Sequence, residues 1–343
     1  MLWVAAMASM DEMKAQGIFF APSKDGNLLP IIDLTHPRFH VPDDPAAIAA
    51  LLARVRTQER STRRLPKFLL RWLMRQAMSQ SRLMQALFHP GADFLDGLST
   101  YAMKLGAENL VPPFDSLADR RFAAGPHLLL LRLRMQQVAR LLADALACDL
   151  PGRPGAALHL LNIGGGPAMD SLNTVLLLKR RHAKILRRPI RIHVLDRDDT
   201  GPWFGARALD ILKSPGGPLA ELDILFAHIP YDWREAEKLE HVAASLGPDA
   251  MIAVSSEGAL FEYGDDQAVI ANLKALKTSG ALAVAGSVTS GDPERRRMIA
   301  SGPFRLFPRG VAGFAPLARE AGFAVEKGET AILSEQILLR PGS

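Results

Sequence analysis

The stretch LHLLNIGGGPAMDS, residues 158–171, sets a short apolar run directly against three consecutive glycines. A run of that length, bounded by turn residues, predicts a buried strand. Gly164, Gly165 and Gly166 permit a positive φ and carry no Cβ, so something must approach the backbone closely there. Ligands of open α/β sheets bind beyond the carboxyl ends of the strands, and the first strand-to-helix turn comes nearest to them. For a dinucleotide, the fingerprint G-x-G-x-x-G counted from Gly164 requires glycine at 169, where this chain has Met169. Pro167 also removes an N–H donor that a pyrophosphate would use.

Working outward, strand and helix patterns alternate from residue 158 onward. Buried-strand patterns lie at 158–163, 190–195, 223–228, 250–255, 281–287, 323–327 and 332–339, with helical patterns at 171–187, 266–277 and 313–321. This alternation predicts an α/β fold: a Rossmann-like, doubly wound, mostly parallel seven-stranded sheet covered on both faces. A strong helical pattern over 127–147 leads into it. The preceding chain reads as an added N-terminal helical region, residues 1–125, beside a core over 126–343. Helices are predicted over 43–58 and 66–88, the latter with a Met- and Leu-rich stripe read as core or inter-helix seam. Residues 23–42, broken by Asp25-Gly26, Pro30 and Pro37, read as extended loop.

With 48% hydrophobic and 22% charged residues, the 343-residue chain has the composition of a globular protein with a large core. Cys148 is the only cysteine, which excludes an intrachain disulfide and a cysteine-based metal cluster. MLWVAAMASM, residues 1–10, is apolar but lacks the basic start and length of a signal peptide. No apolar run reaches the roughly 20 residues of a membrane-spanning helix, so a cytoplasmic protein without a membrane span is expected. The net charge of +5 is concentrated locally. Arg54, Arg56, Arg60, Arg63, Arg64, Lys67, Arg71, Arg75 and Arg82 face a single acid, Glu59, and a second basic cluster runs over 179–191. Either could meet RNA, lipid headgroups or an acidic partner; a solvated arginine-rich face is the simpler account. Aromatic interleaving of the kind single-stranded nucleic acid requires is nearly absent. His36 and His40, with one nearby Asp, are too few ligands for a metal, and none is expected.

The glycine turn resembles the first motif of class I S-adenosylmethionine-dependent methyltransferases, a strand followed by G-x-G-x-G. Gly164, Gly166 and, imperfectly, Ala168 meet it. Asn162 stands where that family often has an acid, and can hydrogen-bond without a charge. Asp196 follows the next strand pattern, where an acid would hold ribose hydroxyls, although farther along than the roughly 20 residues usual in dinucleotide folds. PYDW (230–233) and SSEGALFEYG (255–264) are similar to segments of the leucine carboxyl methyltransferase family and its bacterial small-molecule O-methyltransferase relatives. LRMQQVARLLADAL (133–146) is similar to the segment in which that family's arginine opens the helix entering the core.

The resemblance implies S-adenosyl-L-methionine as cofactor. Arg134 would pair with its carboxylate, Glu257 would face its ammonium, and Asp196 would hold its ribose. Asp232 would accept from the adenine amino group while Trp233 covers the ring, with Asn162, Gly164, Gly165 and Gly166 completing the site. Candidate bases are His228, Glu262 and Tyr263. Transfer from a sulfonium is an in-line substitution of an activated group, so alignment and water exclusion matter more than a base. SSEG replaces the N-P-P-Y type motif of amino-methyltransferases of nucleic acids, and Cys148 precedes the core. A small-molecule acceptor, methylated on oxygen, is therefore expected, with the N-terminal region lidding its pocket. An NAD(P)-dependent oxidoreductase, a non-catalytic cofactor-binding regulator and an RNA methyltransferase stay open as alternatives, as does a homodimer.

Overall fold

The run before the glycines forms strand β3 (Leu158–Ile163), buried along its whole length. The structure is a computed structural model that describes residues 10–63, 66–88, 96–300, 304–330 and 333–342. Upstream, β1 (Phe20–Pro22) and β2 (Leu28–Pro30) make a separate antiparallel hairpin. The main sheet adds β4 (Ile190–Asp196), β5 (Ile224–Pro230), β6 (Met251–Ser256), β7 (Ala283–Thr289), β8 (Phe323–Thr330) and β9 (Ser334–Pro341). Its order is β5-β4-β3-β6-β7-β9-β8, parallel except that β9 runs antiparallel to both β7 and β8. The expected seven-stranded, mostly parallel sheet is thus present. Strand order reverses at β3 and β6, which opens a crevice beyond their carboxyl ends.

The two-residue period of the strands sorts side chains onto two faces. Leu158, Leu160, Ile190 and Ile192 join one buried cluster with α6 (Pro126–Asp149), α7 (Met169–His182) and α8 (Thr200–Leu212). Leu161, Ile163 and Leu195 join the other, with α9 (Ala236–Ala244), α11 (Asp266–Thr278) and α13 (Gly310–Glu320). The short α10 (Leu260–Tyr263) and α12 (Pro293–Ala300) lie in the loops after β6 and β7. Among the described residues, no helix is long and apolar enough to cross a membrane.

The N-terminal region contributes α1 (Pro45–Arg63), α2 (Lys67–Gln80), α3 (Arg82–Leu87), α4 (Gly97–Lys104) and α5 (Leu117–Ala123). Residue 125 is Gly125, the cap before α6, and Pro126 opens that helix. Phe39, Leu83, Tyr101 and Met103 share one buried cluster with α6 and the sheet. Asn173 on α7 accepts from Leu34 N at 2.7 Å and donates to the Ile32 carbonyl at 2.9 Å, which straps the loop after β2 to the core. Helix α4 packs against both α6 and α8.

Several local expectations change. The pattern over 66–88 is two helices, because Ser81 is extended and its hydroxyl accepts from Met84 N at 3.1 Å. That hydroxyl also donates to Asp119 at 2.7 Å; a residue that can cap ends one helix and starts the next. The stripe of α2 is not wholly packed, since Phe68, Trp72 and Leu73 are exposed. Within 23–42, Asp25-Gly26 turns the β1–β2 hairpin, 28–30 form β2, and the remainder is turn and loop. The helix predicted over 171–187 is α7, ending at His182 before a single 3-10 turn (Ala183–Leu186). Residues 1–9, and Ile332 of the last strand pattern, lie outside the described residues.

His159 on β3 and His193 on β4 stack, with Nδ1 and Nε2 3.0 Å apart. Burial lowers both, and burial with the neighbouring His159 and Arg191 brings His193 down to about 4. An unfolded histidine titrates near 6.5. As pH falls from about 6.5 towards about 4, the unfolded chain takes up a proton that the folded protein refuses. Stability contributed above that window is therefore lost across it. Thermal melts of His193→Gln should show a flatter loss of Tm over this range than the parent; parallel curves would remove His193 from the effect.

Candidate functional site

Each glycine of the turn is required by the protein's own packing. Gly164 (φ +66°) and Gly166 (φ +55°) are left-handed. A Cβ on Gly164 would fall 2.7 Å from Ala259 Cβ and 3.2 Å from the Trp233 ring. On Gly165 it would fall 2.1 Å from Asn162 Oδ1, and on Gly166 2.7 Å from Gly97 Cα. From the other side, a Cβ on Gly201 would lie 2.8 Å from Gly166 Cα. The turn is thus clasped between the strand beneath it, the loop after β6, and the first turns of α4 and α8.

Above it lies a cavity of about 570 Å³, at the carboxyl ends of β3, β4, β5 and β6. Its floor is the glycine turn with Asp196, and Trp233 and Gly258 form its sides. Thr100, Tyr101 and Lys104 of α4 face it from the N-terminal region. Leu87, Leu128, Leu131, Met135, Phe304 and Leu306 supply its apolar walls.

Asp196 accepts from Gly166 N at 2.9 Å and from Asp198 N at 3.0 Å. Burial raises its carboxyl above the ordinary range despite those bonds. Glu257 is clamped by Lys104 on one oxygen and Arg134 Nε on the other. Burial acts to raise Glu257, but the two cations outweigh it and hold the carboxyl below its usual value. Arg134 Nη1 donates to Glu262 at 3.0 Å. Gly258 (φ +71°) makes room for this guanidinium, since a Cβ there would fall 2.2 Å from Arg134 Nη2.

Asp170, in the first turn of α7, is 2% exposed and lines the cavity. Its Oδ1 accepts from Asn162 Nδ2 at 2.7 Å, while Oδ2 has no hydrogen-bond partner among the described residues. Burial, then the nearby Glu257 charge, raises its carboxyl, and outweighs the Ser255 hydroxyl, Lys104 and the Ser171 N–H, which lower it. A buried carboxylate oxygen without a donor favours a cation beside it.

Of the residues singled out from sequence, Arg134, Gly164, Gly165, Gly166, Asp196, Trp233, Glu257, Glu262 and Tyr263 line this one cavity. Asn162, Asp232 and His228 do not. Asn162 is buried under the turn, where Nδ2 also reaches Ser255 Oγ at 2.9 Å; it shapes the turn and faces no ligand space. Asp232 is bound by Arg234 and lies near Arg197, and Arg234 chiefly brings its carboxyl down to about 2. His228 Nε2 lies 2.9 Å from the Asp196 carbonyl oxygen, which fixes the strand end and makes that nitrogen the donor. Burial and then the Glu262 charge push the Tyr263 phenol up. Sequence reading singles out neither Asp170 nor Lys104. An acid opening the helix after a glycine turn was a usable signal for Asp170; nothing local marks Lys104, whose partner is 153 residues away.

Among the described residues, Asp96, Asp170, Asp196, Asp198, Glu257 and Glu262 line the cavity against Lys104, Arg134, Arg197 and Arg295. This balance disfavours a pyrophosphate, as does the engagement of Gly166 N by Asp196. No group of three or more His, Cys, Asp or Glu side chains among the described residues could hold a metal ion.

No family model matches the chain, and no curated protein matches its sequence. Among solved structures it is similar to one described as a "possible exported protein" from Bordetella parapertussis, with a TM-score of 0.54 and 17% identity. That match covers 88% of this chain and 100% of the other. Lower likenesses include an S-adenosylmethionine-dependent methyltransferase from Clostridium acetobutylicum (TM-score 0.37, 9% identity, 60% and 92% covered). Another is an O-methyltransferase family protein from Burkholderia thailandensis (TM-score 0.39, 14% identity, 66% and 61% covered). The first likeness is one of fold alone, and the other two are too slight to bear on function.

Replacing Glu257 by Gln would leave Lys104 buried without its carboxylate and Arg134 with one partner fewer. Urea denaturation of Glu257→Gln should show a loss of about 3–5 kcal/mol, the range for one partner removed from a buried ion pair. A loss below about 1 kcal/mol would mean that water reaches this cluster.

Proposed function

We propose that the chain is an S-adenosyl-L-methionine-dependent methyltransferase acting on a small molecule through an oxygen nucleophile. The observation that carries this is Asp170, which lines a cavity richer in acids than bases and has one carboxylate oxygen buried beside the glycine turn without a hydrogen bond. It matches the ammonium of an amino-acid tail and repels a diphosphate.

Asp196 keeps lone pairs for ribose hydroxyls beyond the two N–H groups it already accepts. Trp233, packed on Gly164, offers an aromatic surface to the adenine. Arg134, oriented by Glu257 and Glu262, has Nη2 left for a carboxylate. When bound, the cofactor supplies a methyl group on a sulfonium, already activated for in-line substitution. The residues of this chain then align the acceptor and exclude water, with α4 closing one side of the cavity. The apolar walls suit a largely apolar acceptor. Tyr263 can orient its oxygen, and Glu262 beside it can take a hydroxyl proton.

Calorimetry should show binding of S-adenosylhomocysteine and none of NAD; the reverse order would overturn the proposal. Asp196→Ala should weaken that binding by about 1–3 kcal/mol, the cost of a lost partner for buried polar groups. Asp170→Asn should weaken S-adenosylhomocysteine about tenfold or more while leaving adenosine, which has no ammonium, unchanged. Equal losses for both ligands would remove Asp170 from the tail site.

A further inference from the structure

The apolar side chains on the outer face of α2 have no role in the core. Phe68 is 76% exposed, Trp72 56% and Leu73 42%, on a helix whose Met74, Ala77 and Met78 already supply a partly buried face. Spacings of four and seven residues bring Phe68, Trp72 and the exposed Arg75 onto one stripe. The preceding helix, α1, exposes Arg54, Arg56 and Arg60, and α3 opens with exposed Arg82. None of these five arginines is in an ion pair among the described residues, and the sequence over 54–82 holds one acid, Glu59. We propose that α2, with the arginines of the chain on either side of it, forms a docking surface for an anionic lipid bilayer, on which the protein lies without spanning it.

Two features favour lipid over other polyanions. A basic helix that also exposes a tryptophan, a phenylalanine and a leucine combines attraction to headgroups with apolar groups able to enter the interface. RNA would use the arginines but leave Leu73 and the alkyl surface wet, and one exposed Trp and one exposed Phe make a poor stacking track. The surface also adjoins the cavity: α2 packs on α3, whose last residue, Leu87, lines it. Membrane docking does not depend on the methyltransferase assignment.

Flotation of the full chain with vesicles tests this directly. Binding is expected to phosphatidylcholine vesicles containing phosphatidylglycerol and to be lost with phosphatidylcholine alone. Changing Arg54, Arg56, Arg60, Arg75 and Arg82 singly to Gln should weaken binding by up to about fivefold each. Phe68→Ser with Trp72→Ser should release the protein from vesicles without lowering its Tm, because these side chains are largely exposed. In a readout free of that double variant, anionic vesicles should shift tryptophan emission to the blue in the parent and not in Trp72→Phe. Deleting residues 1–9 should leave binding unchanged. The proposal is overturned by absence of binding to anionic vesicles, by binding that survives the Phe68 and Trp72 changes, or by binding that disappears with residues 1–9. It is equally overturned if the protein binds single-stranded RNA and no vesicle, or if it forms a dimer that Trp72→Ser dissolves.

Discussion

Three stretches of backbone meet at Gly166 with no side chain between them. The turn after β3, the start of α4 and the start of α8 are so close that a single Cβ would not fit. This contact fixes the N-terminal region upon the carboxyl edge of the sheet, and the cavity is the space left beside it. Tyr101, Thr100 and Lys104 reach the cavity because α4 is anchored there. The N-terminal region is therefore part of the site's wall.

Within that wall the charges are arranged around Glu257. Buried ion pairs of this kind contribute little net stability, since desolvation offsets most of their attraction. Their effect here is orientation: Lys104 ties α4 to the loop after β6, and Arg134 ties α6 to the same carboxylate. One arginine nitrogen and one Asp170 oxygen remain for something else. A zwitterionic tail bearing an ammonium and a carboxylate is complementary to that remainder.

The fold was legible because strands in a doubly wound sheet are short apolar runs. β3 falls within the bounds its sequence implies, and the other six core strands lie within about three residues of theirs. Helix α8 carries Gly201, Pro202 and Gly205, which interrupt a helical pattern; Gly205 is there because a Cβ would meet the Pro167 carbonyl at 2.3 Å. Helix α9 is only nine residues long and carries the charged Glu237, Lys238 and Glu240. Residues adjacent to strand ends, among them Asp196 and Glu257, come together at the cavity because strand ends converge in this fold. Lys104 is not marked in this way, because its place depends on tertiary packing. Asp232 and His228 lie off the cavity for a related reason: sequence locates the strand end, but not which neighbouring arginine or carbonyl takes up the side chain.

The central claim is that the cavity above Gly164–Gly166 accepts an adenosyl group joined to an amino-acid tail. A crystal structure grown with S-adenosylhomocysteine addresses it most directly. The ribose should appear against Asp196 and the amino group against the free oxygen of Asp170. Density for the ligand elsewhere, or a tail directed away from Asp170 and Arg134, would contradict it.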